Sequence, residues 1–173
     1  MPGGAIMNIG VSAWRLCGQR LGIGRYIEHL LKQWNTMLQP EDRVSVFVNK
    51  PDHNLAETLS GQFAFETVRP KLTNALWENL LLPRHTNDTD VLFGPSYTLP
   101  LRYGGKSVVA IHSVDEAEPG AQPWWYHYTY SQKYRLSAKR ASRVVTNAQS
   151  TKERICSHYG VADDKVEIGR AHV

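Results

Sequence analysis

The feature that most constrains this chain is an alternation. Short apolar runs rich in β-branched residues recur along it, and most are followed by a segment with helical periodicity. Residues 9–14, 44–48, 63–68, 91–93, 108–111 and 143–146 read as strands, and 165–168 as the start of a further extended piece. The run 44–48 is almost continuously apolar, as a strand covered on both faces must be. Between these runs, Ile27, Leu30, Leu31, Trp34 and Leu38 fall on one stripe of an amphipathic helix that Pro40 ends. Further helices are predicted over 51–59, over 74–82 with Pro83 as its stop, over 124–141, and over 150–159 with Gly160 at the C′ position. Strands that alternate with helices pair in parallel through right-handed crossovers and need helices on both faces. The expected fold class is therefore α/β, a three-layer α/β/α Rossmann-like domain with a mainly parallel sheet. A chain of 173 residues suffices for one such core and is short for two.

Charge and cysteine content narrow the function classes. The net charge of +4 is small, and no basic stripe accompanies it, so no nucleic-acid partner is expected. Two cysteines, Cys17 and Cys156, stand too far apart in sequence to suggest a disulfide framework or a zinc ligand set. No apolar run reaches the length of a membrane span, and residues 1–6 lack the basic and apolar regions of a signal peptide. The expected location is cytoplasmic. The expected division of the chain is a leader over 1–6, one domain over 7–166, and a tail over 167–173.

In open parallel sheets, ligands bind beyond the carboxyl ends of the strands, which selects four loops. The first carries Gly22-Ile23-Gly24-Arg25-Tyr26. Glycines between a strand and a helix let backbone amides approach a phosphate at the helix N-terminus, and they equally suit a plain helix entry. A dinucleotide fingerprint fails here, because Ile27 stands where its third glycine belongs and no acid ends the second strand. No P-loop, H-E-x-x-H, C-x-x-C or G-x-S-x-G occurs. His112 directly follows the 108–111 strand, where an imidazole can bond a sugar or phosphate oxygen or simply pack under a loop. Asp115 and Glu118 lie near it and can orient it or remain solvated. Tyr97, Trp124, Trp125, Tyr126, Tyr128 and Tyr130 offer faces for sugar stacking or for core packing. Ser150 with Glu153 spells a capping box. Arg135, Lys139, Arg140 and Arg143 form a basic cluster suited to a helix C-terminus or to anionic lipid head groups.

Taken in order, several segments resemble one family. They are Met7-Asn8-Ile9-Gly10-Val11, the Gly22–Tyr26 loop with its helix, Asp90-Val91-Leu92-Phe93-Gly94-Pro95 with Leu99-Pro100, and Val108-Val109-Ala110-Ile111-His112. Ala141-Ser142-Arg143-Val144-Val145-Thr146-Asn147 with Ser150, and His158-Tyr159-Gly160-Val161 with Lys165-Val166, complete the set. Over roughly residues 7–166 the chain resembles the N-terminal domain of a GT-B glycosyltransferase of family 4. The resemblance implies retaining transfer of a hexose from a nucleotide-diphosphate sugar to a saccharide or lipid-linked acceptor, in cell-surface polysaccharide synthesis, with no cofactor and no required metal. It implies that Gly22, Gly24 and Arg25 face the donor phosphates and that His112 contacts the transferred sugar. It makes Tyr97, Ser113, Asp115 and Trp124 candidates for binding the acceptor. Family members often read His-Asp where this chain reads His112-Ser113.

The family's active site lies between two Rossmann-like domains, and the second carries the cations that hold the nucleotide sugar. No such segment follows residue 166. The closing heptapeptide from Glu167 to Val173 reads like translated adapter sequence. The expectation is thus an N-terminal half, inactive alone and partnered by a missing C-terminal domain, with peripheral contact at the inner membrane face. The alternative is a standalone nucleotide- or sugar-binding module.

Overall fold

The computed structural model describes residues 6–16, 22–50, 53–59, 61–70, 72–115 and 124–169, with only the backbone given at His53 and at 124–127. Seven strands form one sheet: β1 (Asn8–Ser12), β2 (Arg43–Val48), β3 (Phe63–Thr67), β4 (Val91–Gly94), β5 (Lys106–Ala110), β6 (Arg143–Thr146) and β7 (Val166–Ile168). Their order is β3-β2-β1-β4-β5-β6-β7, and every neighbouring pair is parallel. The helices are α1 (Ile23–Met37), α2 (His53–Thr58), α3 (Asn74–Leu76), α4 (Trp124–Arg140) and α5 (Gln149–Tyr159). The sheet grows outward from β1 to β3. The chain then crosses back to place β4 on the other side of β1, and growth continues to β7. The gap between β1 and β4 is the topological switch point, where a crevice opens at the carboxyl edge.

Both faces are covered, because successive strand residues point to opposite sides. On one face Val11, Val44, Val46, Val48, Phe93 and Ala110 pack under Ile27 and Leu31 of α1 and Leu55 of α2. On the other, Leu92, Val109 and Val144 pack under Tyr134 and Ala138 of α4 and Ile155 and Tyr159 of α5. Phe47 and Val68 meet Trp77, Leu81 and Leu82 on that second face. The three-layer α/β/α fold expected from the alternation is the fold observed, and its sheet is parallel throughout the described strands.

Local departures have local causes. The first strand stops at Ser12, and Trp14–Leu16 turn as a 3-10 helix, with the Leu16 amide donating to the Ala13 carbonyl. The expected single helix over 74–82 is three consecutive turns: α over Asn74–Leu76, π over Trp77–Leu81 and 3-10 over Leu82–Arg84. Trp77, Glu78, Leu81 and Leu82 along this segment are all buried. Pro83 does not stop the segment. It occupies the opening of the last turn, where its missing N–H is not needed. The capping box at Ser150 does not form. The helix begins one residue earlier, with Ala148 at its N-cap, and Glu153 accepts instead from the Gln149 side chain at 2.9 Å.

Two glycines are required by geometry. Gly160 ends α5 at φ 63°, and its amide donates to the Cys156 carbonyl at 3.1 Å, as the C′ reading anticipated. Gly94 closes β4 where the chain doubles back, and a Cβ there would sit 2.4 Å from the Thr98 carbonyl oxygen. At the far edge, Glu167 and Ile168 lie in β7, and the Gly169 amide donates to the Thr146 carbonyl. The other tail residues, 170–173, lie outside the described residues, as do leader residues 1–5 and Cys17.

Candidate functional site

The site forms at the carboxyl edge of β1, β4 and β5, where three loops and the start of α1 converge. Gly22 takes φ 46° to turn the chain into α1, and Gly24 is buried in the first helical turn. Arg25 is exposed beside it. The α1 N-terminus therefore faces the switch point with its amides, as phosphate binding requires.

Tyr26 connects this turn to the β5 loop. Its half-buried ring meets the His112 imidazole edge-on, with centroids 4.6 Å apart. His112 lies on the other side against Tyr97, 5.5 Å between centroids, and Tyr97 stacks on Tyr134 of α4 at 4.8 Å. Its Nε2 lies 3.0 Å from the Pro95 carbonyl oxygen. A carbonyl can only accept, so Nε2 carries the proton, and in the neutral ring Nδ1 is left as an acceptor. Burial lowers the His112 pKa, and the bond to Pro95 only partly opposes that shift. The imidazole is thus neutral at neutral pH.

Of the residues picked from the sequence, Tyr97 and Ser113 come together, their hydroxyls 3.2 Å apart. Tyr97 holds a left-handed backbone, φ 69°, unusual for a bulky residue. Its amide donates to the Ala110 carbonyl, which fixes the β4 loop across the end of β5. Asp115 is exposed and pairs with Arg154 of α5 at 3.6 Å. The residue that fixes His112 is Pro95, through its backbone, which explains how the histidine is held when Ser113 follows it. Trp124 opens α4, and its side chain, like those of Trp125 and Tyr126, lies outside the described residues. So does Glu118.

Sequence reasoning missed a second cluster beside this one. A cleft of about 440 Å3 opens between the β1 loop, the 74–84 segment, the β4 loop and α4. Glu78 lies on its wall, buried, and accepts from the Thr98 hydroxyl at 2.9 Å. Burial pushes its pKa up to about 7, against the opposing pull of the Thr98 hydrogen bond and of the Lys133 and Arg15 charges. The only sequence signal was an acid set inside the apolar stretch Trp77-Glu78-Asn79-Leu80-Leu81-Leu82. Three residues before Leu81 and four before Leu82, that acid shares their helix face, so its position is inward and only its chemistry suggests solvent.

The basic cluster is split. Arg143 pairs with Glu167 at 3.1 Å, while Lys139 and Arg140 are exposed at the end of α4. Among the described residues no helix is long and apolar enough to cross a membrane. Nor is any group of three or more His, Cys, Asp or Glu side chains placed to hold a metal ion.

Comparison with known proteins follows this geometry. Residues 21–168 match the model of Glycosyltransferase Family 4. No curated protein matches the sequence. Among solved structures, the chain is similar to Anabaena Alr3699/HepE in complex with UDP, at 14% identity and a TM-score of 0.55, covering 94% of this chain and 43% of that one. It is also similar to a glycosyltransferase from Rickettsia africae ESF-5, at 14% identity and a TM-score of 0.54, covering 95% of this chain and 43% of that one. The chain therefore spans less than half the length of the solved structures it matches.

Proposed function

The chain belongs to glycosyltransferase family 4, and on that premise we propose that it is the N-terminal, acceptor-side half of a retaining hexosyltransferase. The donor is a nucleotide-diphosphate sugar and the acceptor a saccharide or lipid-linked saccharide of a cell-surface polysaccharide. The observation that carries this reading is the convergence at the switch point. The amide-rich start of α1 and a neutral, backbone-anchored His112 are joined through Tyr26 within one ring contact.

In this reading Gly22, Gly24 and Arg25 face the donor diphosphate, where α1 amides and a guanidinium offset its charge. His112 accepts a hydrogen bond at Nδ1 from a hydroxyl of the transferred hexose and so orients the ring; it need not ionise to do this. Tyr97 and Ser113, whose hydroxyls are paired, border the acceptor side with Trp124. Asp115, exposed and paired with Arg154, joins them on the acceptor side. No metal ion enters the scheme. A second Rossmann-like domain beyond residue 166 supplies the remaining donor contacts, and the exposed Lys139 and Arg140 favour contact with an anionic inner membrane face.

The reading frame tests this proposal. Sequencing the gene past codon 166 should reveal continuous coding for a second α/β domain. An authentic stop near that codon would defeat the half-enzyme reading in favour of a standalone binding module.

A further inference from the structure

The cleft beside the His112 cluster has its own chemistry. Two cations enter it from different elements, Arg15 from the turn after β1 and Lys133 from α4, and both act electrostatically on Glu78. Two of its polar atoms are buried with no hydrogen-bond partner among the described residues: Arg15 Nε and Ser96 Oγ, the latter on a residue only 4% exposed. A buried donor left unpaired costs on the order of 1–3 kcal/mol, so such atoms in the wall of an open cleft mark where a ligand's oxygens belong.

The aromatic residues do not favour a neutral sugar. Arg15 covers one face of Trp14 at 4.5 Å, and Lys133 approaches one face of Tyr130 at 5.2 Å. Those faces are taken up by cations and not offered for stacking on a pyranose. The Lys133 and Arg15 charges, the Ser96 hydroxyl and the acid form of Glu78 are all hydrogen-bond donors. That many donors, arriving from four separate segments, suit an anion with several oxygens better than a hydroxylated ring. The volume, about 440 Å3, is also ample for more than a lone anion.

We propose that this cleft binds the phosphoryl group of a phosphorylated saccharide acceptor, held by Arg15, Lys133 and Ser96. The word acceptor rests on the transferase reading above; the anion site does not. Besides Arg15 and Lys133, the titratable groups facing Glu78 across the cleft are Tyr130 and Tyr134 of α4, and among the described residues no other carboxylate lines it.

The test is calorimetric titration of the 173-residue chain with glucose 1-phosphate, glucose and UDP. Glucose 1-phosphate should bind saturably while glucose does not, and Lys133→Ala and Arg15→Ala should each weaken binding about tenfold. Between pH 7 and 8.5 the acid form of Glu78 falls from about half to a few per cent, so affinity should drop about tenfold. In Glu78→Gln that drop should vanish while binding at pH 7 persists. Circular dichroism of each variant separates lost folding from lost binding. Equal binding of glucose, or no saturable binding of glucose 1-phosphate, would overturn the proposal. So would UDP binding that depends on the same two cations, since the cleft would then be a donor site. Because the readout is binding, failure here together with transfer to an uncharged acceptor by the full-length enzyme would defeat this inference alone.

Discussion

Glu78 carries an energetic consequence that stability measurements can reach without any substrate. Its carboxyl is buried and ionises near pH 7 in the folded chain, against an ordinary value of 4.5. The folded state therefore holds its proton more tightly than the unfolded state. The resulting stabilisation is complete below about pH 4.5 and is lost as pH rises through 7. Integrated from pH 5 to pH 8.5, a shift of this size removes on the order of 2–3 kcal/mol of folding stability. Glu78→Gln preserves the shape and the acceptor for the Thr98 hydroxyl but cannot ionise. Urea unfolding of both proteins at the two pH values isolates the effect, because every other titrating group is common to them. The variant should gain on the order of 2–3 kcal/mol on the native chain between pH 5 and 8.5, roughly 5–10 °C in Tm for a domain of this size. A stability difference that stays constant with pH would show that Glu78 ionises normally, and that burial at the π turn does not control its proton.

Other expectations follow from the same geometry. Gly94→Ala forces a Cβ onto the Thr98 carbonyl, and urea unfolding should report a loss of about 1–3 kcal/mol; an unchanged midpoint would mean the β4 loop yields freely. Gly160→Ala places a side chain at φ 63° and should cost about 1 kcal/mol by the same measurement. In the full-length enzyme, His112→Ala should lower kcat about tenfold, the worth of one hydrogen bond to the reacting sugar, with little change in acceptor KM. An unaltered kcat would remove His112 from the site. The His112 pKa, followed by its ring proton resonances, should lie below that of an exposed histidine and rise when Tyr26→Ala admits water.

The fold was legible because its signals are local and repeated. β-branched runs such as 44–48 can only be covered strands, and the stripe from Ile27 to Leu38 can only be an amphipathic helix. His112 was legible for a topological reason, since a strand's end in a parallel sheet is also the ligand edge. What fixes it was not legible, because a Pro95 backbone carbonyl 17 residues away leaves no side-chain signature. Glu78 was hidden for a different reason. Its spacing from Leu81 and Leu82 puts it on their buried face, but an acid is read as solvated from its chemistry, and nothing local announces the Thr98 partner 20 residues away. The capping box failed at Ser150 because the N-cap falls two residues earlier, at Ala148, which moves the motif out of register, and composition cannot fix that.

The central claim is that this chain is one half of a sugar-transferring site. Its most direct test is a transfer assay with labelled nucleotide sugars and saccharide acceptors, run on the purified 173-residue chain and on the product of the full reading frame. The account predicts transfer by the full-length product, with retained anomeric configuration, and none by the shorter chain. Turnover by the 173-residue chain at the rate of the full-length product, or binding without transfer by both, would contradict it.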